Sequence, residues 1–438
     1  MNAAANVAQS YLGDKPTTTS PSYKPRQDGS TMKALVWHGA KKVAMEEVPV
    51  PTVNEPDDIV LRVTGTTVCG SDLHLYNKEI IQLKSGDILG HEFCGIVDEV
   101  GPNVTDLKPG DRVVSSFQIA CGNCQFCQKG LTSMCDTTNT SSVQEKMYGN
   151  KIAGVFGYSH FVGGFPGGQA EYVRIPFGQN NVLKIPNDIP DEKALYLSDV
   201  IPTSYHAVKC ADVQKGSTVA IWGLGPIGLN AAQWAKLEGA SLVIGIDIVD
   251  NRLELARSKL GIEVIDPRTT DVLERIHELT AGTGVDCSID AAGFRYTQSL
   301  IQKAQRAIGL ETDASQIVNE ILRATRKFGT VSLIADYAAT TNGFLIGAVM
   351  EKGITLRGAG QCPVQKYWHD LLKKVESGEF DPTVILTHRF DIDEIPNIYA
   401  AMDQKTDNVI KSFVQTKFSS PPAPGTPPLS SLKARSLN

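Results

Sequence analysis

Ser217-Thr-Val-Ala-Ile-Trp222-Gly223-Leu-Gly225-Pro226-Ile227-Gly228 reads as an apolar strand running into a glycine turn and then a helix. A lone G-x-G-x-x-G is weak evidence, but here the strand before it and the helix after it are both present. Gly223 permits the tight turn, Gly225 lets backbone approach a pyrophosphate, and Gly228 lets helix and strand pack closely. Pro226 suits a first helical turn, where its missing N–H costs nothing, and Ile227 follows it into the helix. The free N–H groups of that helix start face bound phosphates. Nineteen residues past Gly228, at the end of the strand Ser241-Leu-Val-Ile-Gly-Ile-Asp247, stands a carboxylate. Asp247 there accepts hydrogen bonds from ribose hydroxyls and repels a 2′-phosphate, which favours NAD over NADP. Arg252 is near enough to cap the adenosine side or to pair with Asp247.

Reading outward, the same texture continues. A helix is expected from Pro226 to about Leu237 and another over 251–260, then a strand ending at Asp290. Helices are expected across 297–328, with strands at 329–335 and 354–358. Strands alternating with helices of this length imply a parallel, doubly wound sheet and an α/β fold. Upstream, from Met32 to about Asp111, short apolar strands are broken by Pro and Gly, the mark of a compact β-rich lobe. Residues 154–168 carry six glycines among aromatics, which suggests a mobile loop near a cleft. The last hundred residues return to a mixed pattern, so the first lobe is expected to receive a C-terminal contribution. Residues 1–31 and the Pro-rich run from Ser419 lack the apolar content to order themselves and read as a disordered leader and tail.

The 438 residues are 42% hydrophobic and 21% charged, with net charge −6 and no basic block, which argues against nucleic acid or an anionic membrane as partner. No apolar run approaches the length of a bilayer span. Nine cysteines, four of them clustered, fit a reducing, cytoplasmic setting better than disulfide pairing. The cluster is Cys121, Cys124, Cys127 and Cys135, spaced C-x2-C-x2-C-x7-C. That spacing suits one closed tetrahedral zinc site. Ferredoxin runs place the fourth Cys after three residues and before Pro, whereas Cys135 follows after seven and precedes Asp136. A closed site holds a lobe in shape and does no chemistry. Further potential ligands lie in Cys69-Gly-Ser71-Asp72-Leu-His74 and in Gly90-His91-Glu92. A reactive zinc takes three protein ligands and keeps a fourth position open, and Cys69 and His91 are candidates.

In this order of motifs the chain resembles the zinc-dependent medium-chain dehydrogenase/reductases over roughly residues 32–416. It is most similar to their glutathione-independent formaldehyde dehydrogenase branch, through GGQAEYVRIP (167–176), LSDVIPTSYHA (197–207) and GQCPVQKY (360–367). The resemblance implies a GroES-like catalytic domain over 32–200 with a zinc lobe at about 118–138, a Rossmann NAD-binding domain over 201–358, and a C-terminal part of the catalytic domain over 359–417. Residues 1–31 and 418–438 would flank these.

The resemblance also supplies Asp199 as third ligand of the catalytic zinc, where many members have Cys; by itself Asp199 reads as a helix cap before Ile201-Pro202. It implies two zincs per chain, Glu92 as a neighbouring or transient ligand, and Asp72 holding the other imidazole nitrogen of His91. Ser71 and His74 fall where the family has its proton relay, although an exposed histidine without a role is the alternative for His74. Gly70 departs from the basic residue many members carry. The implied activity is hydride transfer between NAD and an alcohol or aldehyde, with formaldehyde hydrate as candidate substrate. Two alternatives stand beside it: a dismutase holding NAD(H) permanently, the glycine loop serving as clamp, and a non-catalytic NADH-binding protein with structural zinc. A homo-oligomer, dimer or tetramer, is the family's habit.

Overall fold

The computed structural model describes residues 2–292, 314–337 and 340–432. The chain divides into two compact units, Met1–Asp199 with Pro363–Asn438, and Val200–Cys362.

The second unit is built on a six-stranded parallel sheet. Its spatial order is Glu263–Ile265, Leu242–Ile246, Thr218–Trp222, Val285–Asp290, Thr325–Leu333, Thr355–Gly358. Numbered along the chain this is 3-2-1-4-5-6, the Rossmann order, with the reversal beside Thr218–Trp222. The central strands are buried on both faces, so they read as continuous apolar runs rather than alternating ones. Helices Pro226–Leu237 and Asp250–Leu260 supply the first two crossovers.

The expected helical stretch 297–328 is only partly met. Residues 297–313 lie outside the described residues, the helix that is seen spans Gln316–Ala324, and the strand starts at Thr325 rather than 329. A bulge makes the difference: Val285 pairs with Thr325 and Cys287 with Thr330, and the extra residues are tied down by Arg326 Nε on Asp286 Oδ1 at 2.5 Å.

The first unit is mostly antiparallel. Thr31–Gly39 lies between Lys42–Pro49 and Asp87–Ile88 in one small sheet. The larger sheet runs Val182–Lys184, Arg112–Ser115, Phe93–Val100, Ile59–Thr66, Lys411–Gln415, Leu386–Asp391, with Tyr172–Ile175 also on Ile59–Thr66. Two apolar clusters support it. One centres on Leu61, Phe93, Val113 and Phe156, the other on Trp37, Leu75, Phe390, Tyr399 and Val414. The C-terminal strands thus sit in the sheet that carries the N-terminal half of this unit.

Described residues of both terminal segments make regular contacts with the rest of the first unit. Asn2–Leu12 is a helix. Lys15 N donates to Thr140 O and Thr18 N to Thr137 O, both at 2.9 Å. Further along, the Arg174 guanidinium takes Ser20 O (2.8 Å), Ser22 O (3.2 Å) and Thr19 Oγ1 (3.0 Å). At the other end Arg389 Nη2 donates to Ser420 O at 2.7 Å, and Ala423 N donates to Glu192 Oε1 at 3.0 Å. Composition measures how much apolar surface a segment can bury. It does not register that a buried cation elsewhere needs that segment's carbonyls, since an unpaired buried charge is costly.

The glycine-rich stretch is likewise not a loose loop. A Cβ on Gly157 would run into the Gly90 backbone, one on Gly167 into Leu89 and Gly90, and one on Gly168 into Phe93. Gly157 and Gly167 allow close backbone-to-backbone approach, and Gly168 packs on the Phe93 ring.

Candidate metal and cofactor sites

The turn Val68-Cys69 leads into the short helix Gly70–Tyr76. Cys69 stands at the N-cap in extended conformation, and Asp72 reaches back to accept its N–H at 2.9 Å. This capping-box arrangement, recognisable from the Cys-x-x-Asp spacing, fixes where the thiol points. His91 follows Gly90, whose φ of +98° turns the chain before strand Phe93–Val100. Asp199 follows the 3-10 turn Leu195–Ser198 and directly precedes helix Val200–Cys210.

These three segments and Glu92 converge: one ligand atom each from Cys69, His91, Glu92 and Asp199 lies within 4.8 Å of every other. His91 Nε2 faces the cluster, 3.5 Å from Asp199 Oδ2 and 3.9 Å from Glu92 Oε1, with Ser71 Oγ at 3.4 Å. His91 Nδ1 turns the other way, 3.1 Å from Asp72 Oδ1 but bent from a linear hydrogen bond, so the contact is chiefly electrostatic. Phe117 and Tyr158 meet the imidazole edge-on at 6.3 and 6.1 Å.

The electrostatics are those of a cation site. Burial alone lowers the basicity of His91, but Asp72, Asp199 and Cys69 outweigh it and push the imidazole well above its ordinary range. A field that draws a proton there draws a divalent metal too. Glu92 Oε2 is buried without a hydrogen-bond partner. One thiol, one imidazole nitrogen and carboxylates make a donor set that zinc accepts. Residues and group fit.

Lys411, which sequence reasoning missed, completes this centre. Its Nζ lies 2.6 Å from Glu92 Oε1, both side chains wholly buried. Burial depresses the ammonium, yet Cys69, Glu92 and Asp199 raise it further, so it stays protonated. The only signal was a lysine inside the apolar strand Ile410-Lys411-Ser-Phe413-Val414. Its partner lies 319 residues away.

His74 does not join the cluster. Its Nδ1 pairs with Glu79 Oε2 at 2.7 Å, both side chains about one-quarter exposed. Glu79 was also missed. His160 binds Asp87 Oδ1 at 3.1 Å and is no ligand of either cluster.

The four-cysteine lobe closes on itself. Cys121 and Cys127 sulfurs are 4.0 Å apart, Cys124 and Cys135 sulfurs 3.9 Å. A tetrahedron with metal–sulfur bonds of ~2.3 Å has edges of ~3.8 Å. Backbone N–H groups of Asn123 and Cys124 point at Cys121 Sγ, and Cys121 N at Cys135 Sγ, at 3.3–3.4 Å. All nine cysteines are free of disulfides. Cys94, Cys287 and Cys362 are buried, and Cys210 is half-buried, 3.5 Å from His206 Nε2.

In the Rossmann unit Gly223 has φ +91°, and a Cβ on Gly228 would overlap Gly223 O. Among the described residues only Arg252 comes near a Cβ on Gly225, at 4.0 Å, which leaves room there for a ligand. Asp247 carries more than the sequence assigned to it. It accepts Leu224 N (2.7 Å), Ile248 N (2.7 Å) and Val249 N (2.9 Å), pinning the glycine turn, with Arg252 Nη1 at 3.6 Å. Beyond the carboxyl ends of Thr325–Leu333 and Thr355–Gly358 lies a cavity of about 440 Å³, lined by Leu333, Tyr337, Phe344, Gly358 and others.

Residues 55–187 match the alcohol dehydrogenase GroES-like domain, and residues 226–311 match the zinc-binding dehydrogenase family. A zinc-type alcohol dehydrogenase-like protein of Schizosaccharomyces pombe is 46% identical over 415 residues, 94% of this chain and 98% of the relative. This chain belongs to the zinc-dependent medium-chain dehydrogenases. Within that superfamily, the glutathione-independent formaldehyde dehydrogenase of Pseudomonas aeruginosa is 32% identical over 406 residues, 87% of this chain and 96% of the relative. An alcohol dehydrogenase from a Thermus species shares the fold with TM-score 0.76 and 31% identity, covering 88% of this chain and all of that one. The superfamily's GroES-like and Rossmann folds are the two units described above, and the chain is an oxidoreductase of this type. Among the described residues no helix is long and apolar enough to cross a membrane.

Proposed function

We propose that this medium-chain dehydrogenase is an NAD-dependent enzyme that oxidises a small alcohol or hydrated aldehyde, with zinc held by Cys69, His91 and Asp199. The observation that carries the reading is the convergence of those donors, with Glu92, on a space also faced by Ser71. Cys121, Cys124, Cys127 and Cys135 hold a second, structural zinc.

When bound, the catalytic zinc supplies a Lewis acid that stabilises negative charge on a substrate oxygen, and NAD supplies the hydride acceptor. The chain's residues do the rest. Asp72 keeps His91 Nδ1 protonated so that Nε2 presents its lone pair to the centre. Glu92, drawn to Lys411, leaves room for substrate. Ser71 Oγ faces the centre and is placed to accept the substrate proton as it gives up its own, while His74, paired with Glu79 outside the cluster, is placed to release a proton to solvent. Phe117 and Tyr158 keep the His91 side of the centre apolar. In the Rossmann unit the helix start at Pro226 receives the pyrophosphate, Asp247 disfavours a 2′-phosphate, Arg252 borders the adenosine side, and the 440 Å³ cavity takes the nicotinamide half.

Formaldehyde hydrate is the first substrate to test, on the likeness to the formaldehyde dehydrogenase. A cytoplasmic homo-oligomer is the setting that free thiols and family habit suggest. The deciding experiment follows NADH absorbance with NAD⁺ and formaldehyde without glutathione, beside longer primary and secondary alcohols, and counts zinc per chain. Turnover of formaldehyde alone supports the branch; turnover of larger alcohols alone replaces the substrate and keeps the mechanism. A Cys69→Ala protein with full activity and two zincs would end the proposal.

A further inference from the structure

Gln169 lies in the GGQAEY segment and has no part in the chemistry above, yet it is wholly buried at the back of the metal centre. Its Nε2 donates to Thr67 O at 3.0 Å and to Asp72 Oδ2 at 3.2 Å. Its Oε1 accepts from Tyr399 OH at 3.0 Å. The amide orientation follows from chemistry, since a carbonyl and a carboxylate can only accept, so the NH2 must face them. Both N–H donors are used on those two acceptors, which excludes the flip, and the buried Tyr399 hydroxyl donates to the remaining Oε1.

The backbone of this segment grips the second ligand-bearing turn. Gln169 N donates to Leu89 O at 3.0 Å, and Gly168 N to Gly90 O at 2.7 Å. A Cβ on Gly90 would sit inside the Gln169 side chain. One residue therefore touches the turn before Cys69, the carboxylate that orients His91, and the turn before His91. Helix Ile395–Gln404 holds it from behind through Tyr399.

We infer that Gln169 is a positioning residue for the metal centre: it sets Asp72, and through it the His91 tautomer and the Cys69 turn, in the pose that binds zinc. This rests on reading Cys69, His91 and Asp199 as metal ligands. Asp72 Oδ2 receives two N–H groups, from Gln169 and from Cys69, which leaves Oδ1 for His91 Nδ1. Remove the Gln169 donor and the carboxylate can rotate away from both.

The test uses the full chain with both metals, and the four-cysteine zinc is an internal control. Zinc loss to a chelator is timed, and the visible spectrum is read after cobalt exchange. Gln169→Glu keeps the shape but points an acceptor at Thr67 O and Asp72. It should speed loss of one of two zincs by about tenfold to a hundredfold, as for other partners of metal ligands, and shift the cobalt bands. Gln169→Leu should act similarly, and Tyr399→Phe several-fold less. Folded Gln169→Glu protein with wild-type zinc retention and spectrum overturns the inference. If that variant does not fold, Tyr399→Phe decides, and unchanged zinc loss there overturns it equally. A wild-type chain holding only the four-cysteine zinc overturns the metal reading itself, and this inference with it.

Discussion

Replacing Arg174 by Met should be among the most damaging substitutions in the first unit, although it lies in neither metal site. The guanidinium is 4% exposed and its partner Asp58 1%. Arg174 Nε binds Asp58 Oδ2 at 2.6 Å, and the two terminal nitrogens take three acceptors on Thr19, Ser20 and Ser22. Methionine fills much of the space but leaves the carboxylate buried without its counter-charge. Breaking a buried pair from one side costs roughly 3–5 kcal/mol. Asp58 keeps two backbone donors, Asn54 N at 3.2 Å and Glu55 N at 2.9 Å, which places the cost near the lower end, about 3 kcal/mol. That is a factor of more than ~100 in the equilibrium for local opening. Asp58→Asn combined with Arg174→Met removes both charges and should recover at least half. Hydrogen exchange at the amides of 19–22 and 171–175 reads the local opening free energy without assuming that both units unfold together. A single variant costing less than ~1 kcal/mol, or a double variant no better than the single, would refute the account of the buried pair.

Other expectations follow from the sites. Cys69→Ala should lose one zinc and essentially all turnover while the four-cysteine lobe keeps its metal, read by zinc analysis and NADH absorbance. Cys135→Ser should instead lower thermal stability and expose the lobe to protease, with the Cys69 centre still loaded in surviving protein. Asp247→Asn should narrow the preference for NAD over NADP by about tenfold, one charge's worth of repulsion, and also weaken NAD binding, because the carboxylate pins the Leu224 turn. The Asp286 carboxyl is held below its usual range: burial raises it, but bonds from Thr218 and Arg326 prevail. Its contribution is therefore present above the ordinary carboxylate pKa and lost as pH falls through the lowered one. Asp286→Asn should destabilise at neutral pH, with the difference shrinking in acid, measured by thermal melts across pH.

The legible parts of the molecule were those whose partners are close in sequence. Gly223 to Asp247 spans one strand–helix–strand unit, and Cys121 to Cys135 closes within a single excursion, so spacing alone constrains the geometry. Cys69 was readable as a candidate ligand, but the helix start it shares with Asp72 was not read from the sequence. Lys411, Gln169 and Tyr399 were not, because nothing local obliges a strand lysine to seek a carboxylate 319 positions away, or a loop glutamine one 97 positions away. The glycine stretch misled for a related reason. Glycine serves both looseness and close approach, and only the neighbouring Leu89-Gly90 backbone distinguishes them. Thr325 to Phe328 read as the end of a helix because propensity does not see the bulge that Asp286 anchors through Arg326.

The position of Lys411 in the chain has a consequence for biosynthesis. The cysteine lobe has all four donors as soon as Cys135 leaves the ribosome. The other centre has its donors by Asp199, but its buried Glu92 remains without a counter-ion until strand Lys411–Gln415 takes its place in the sheet. Roughly 280 residues separate Cys135 from Lys411, on the order of 15–55 s of translation at ~5–20 residues per second. On the proposed reading of two zincs, the two sites would be completed at different times, the one beside Lys411 later.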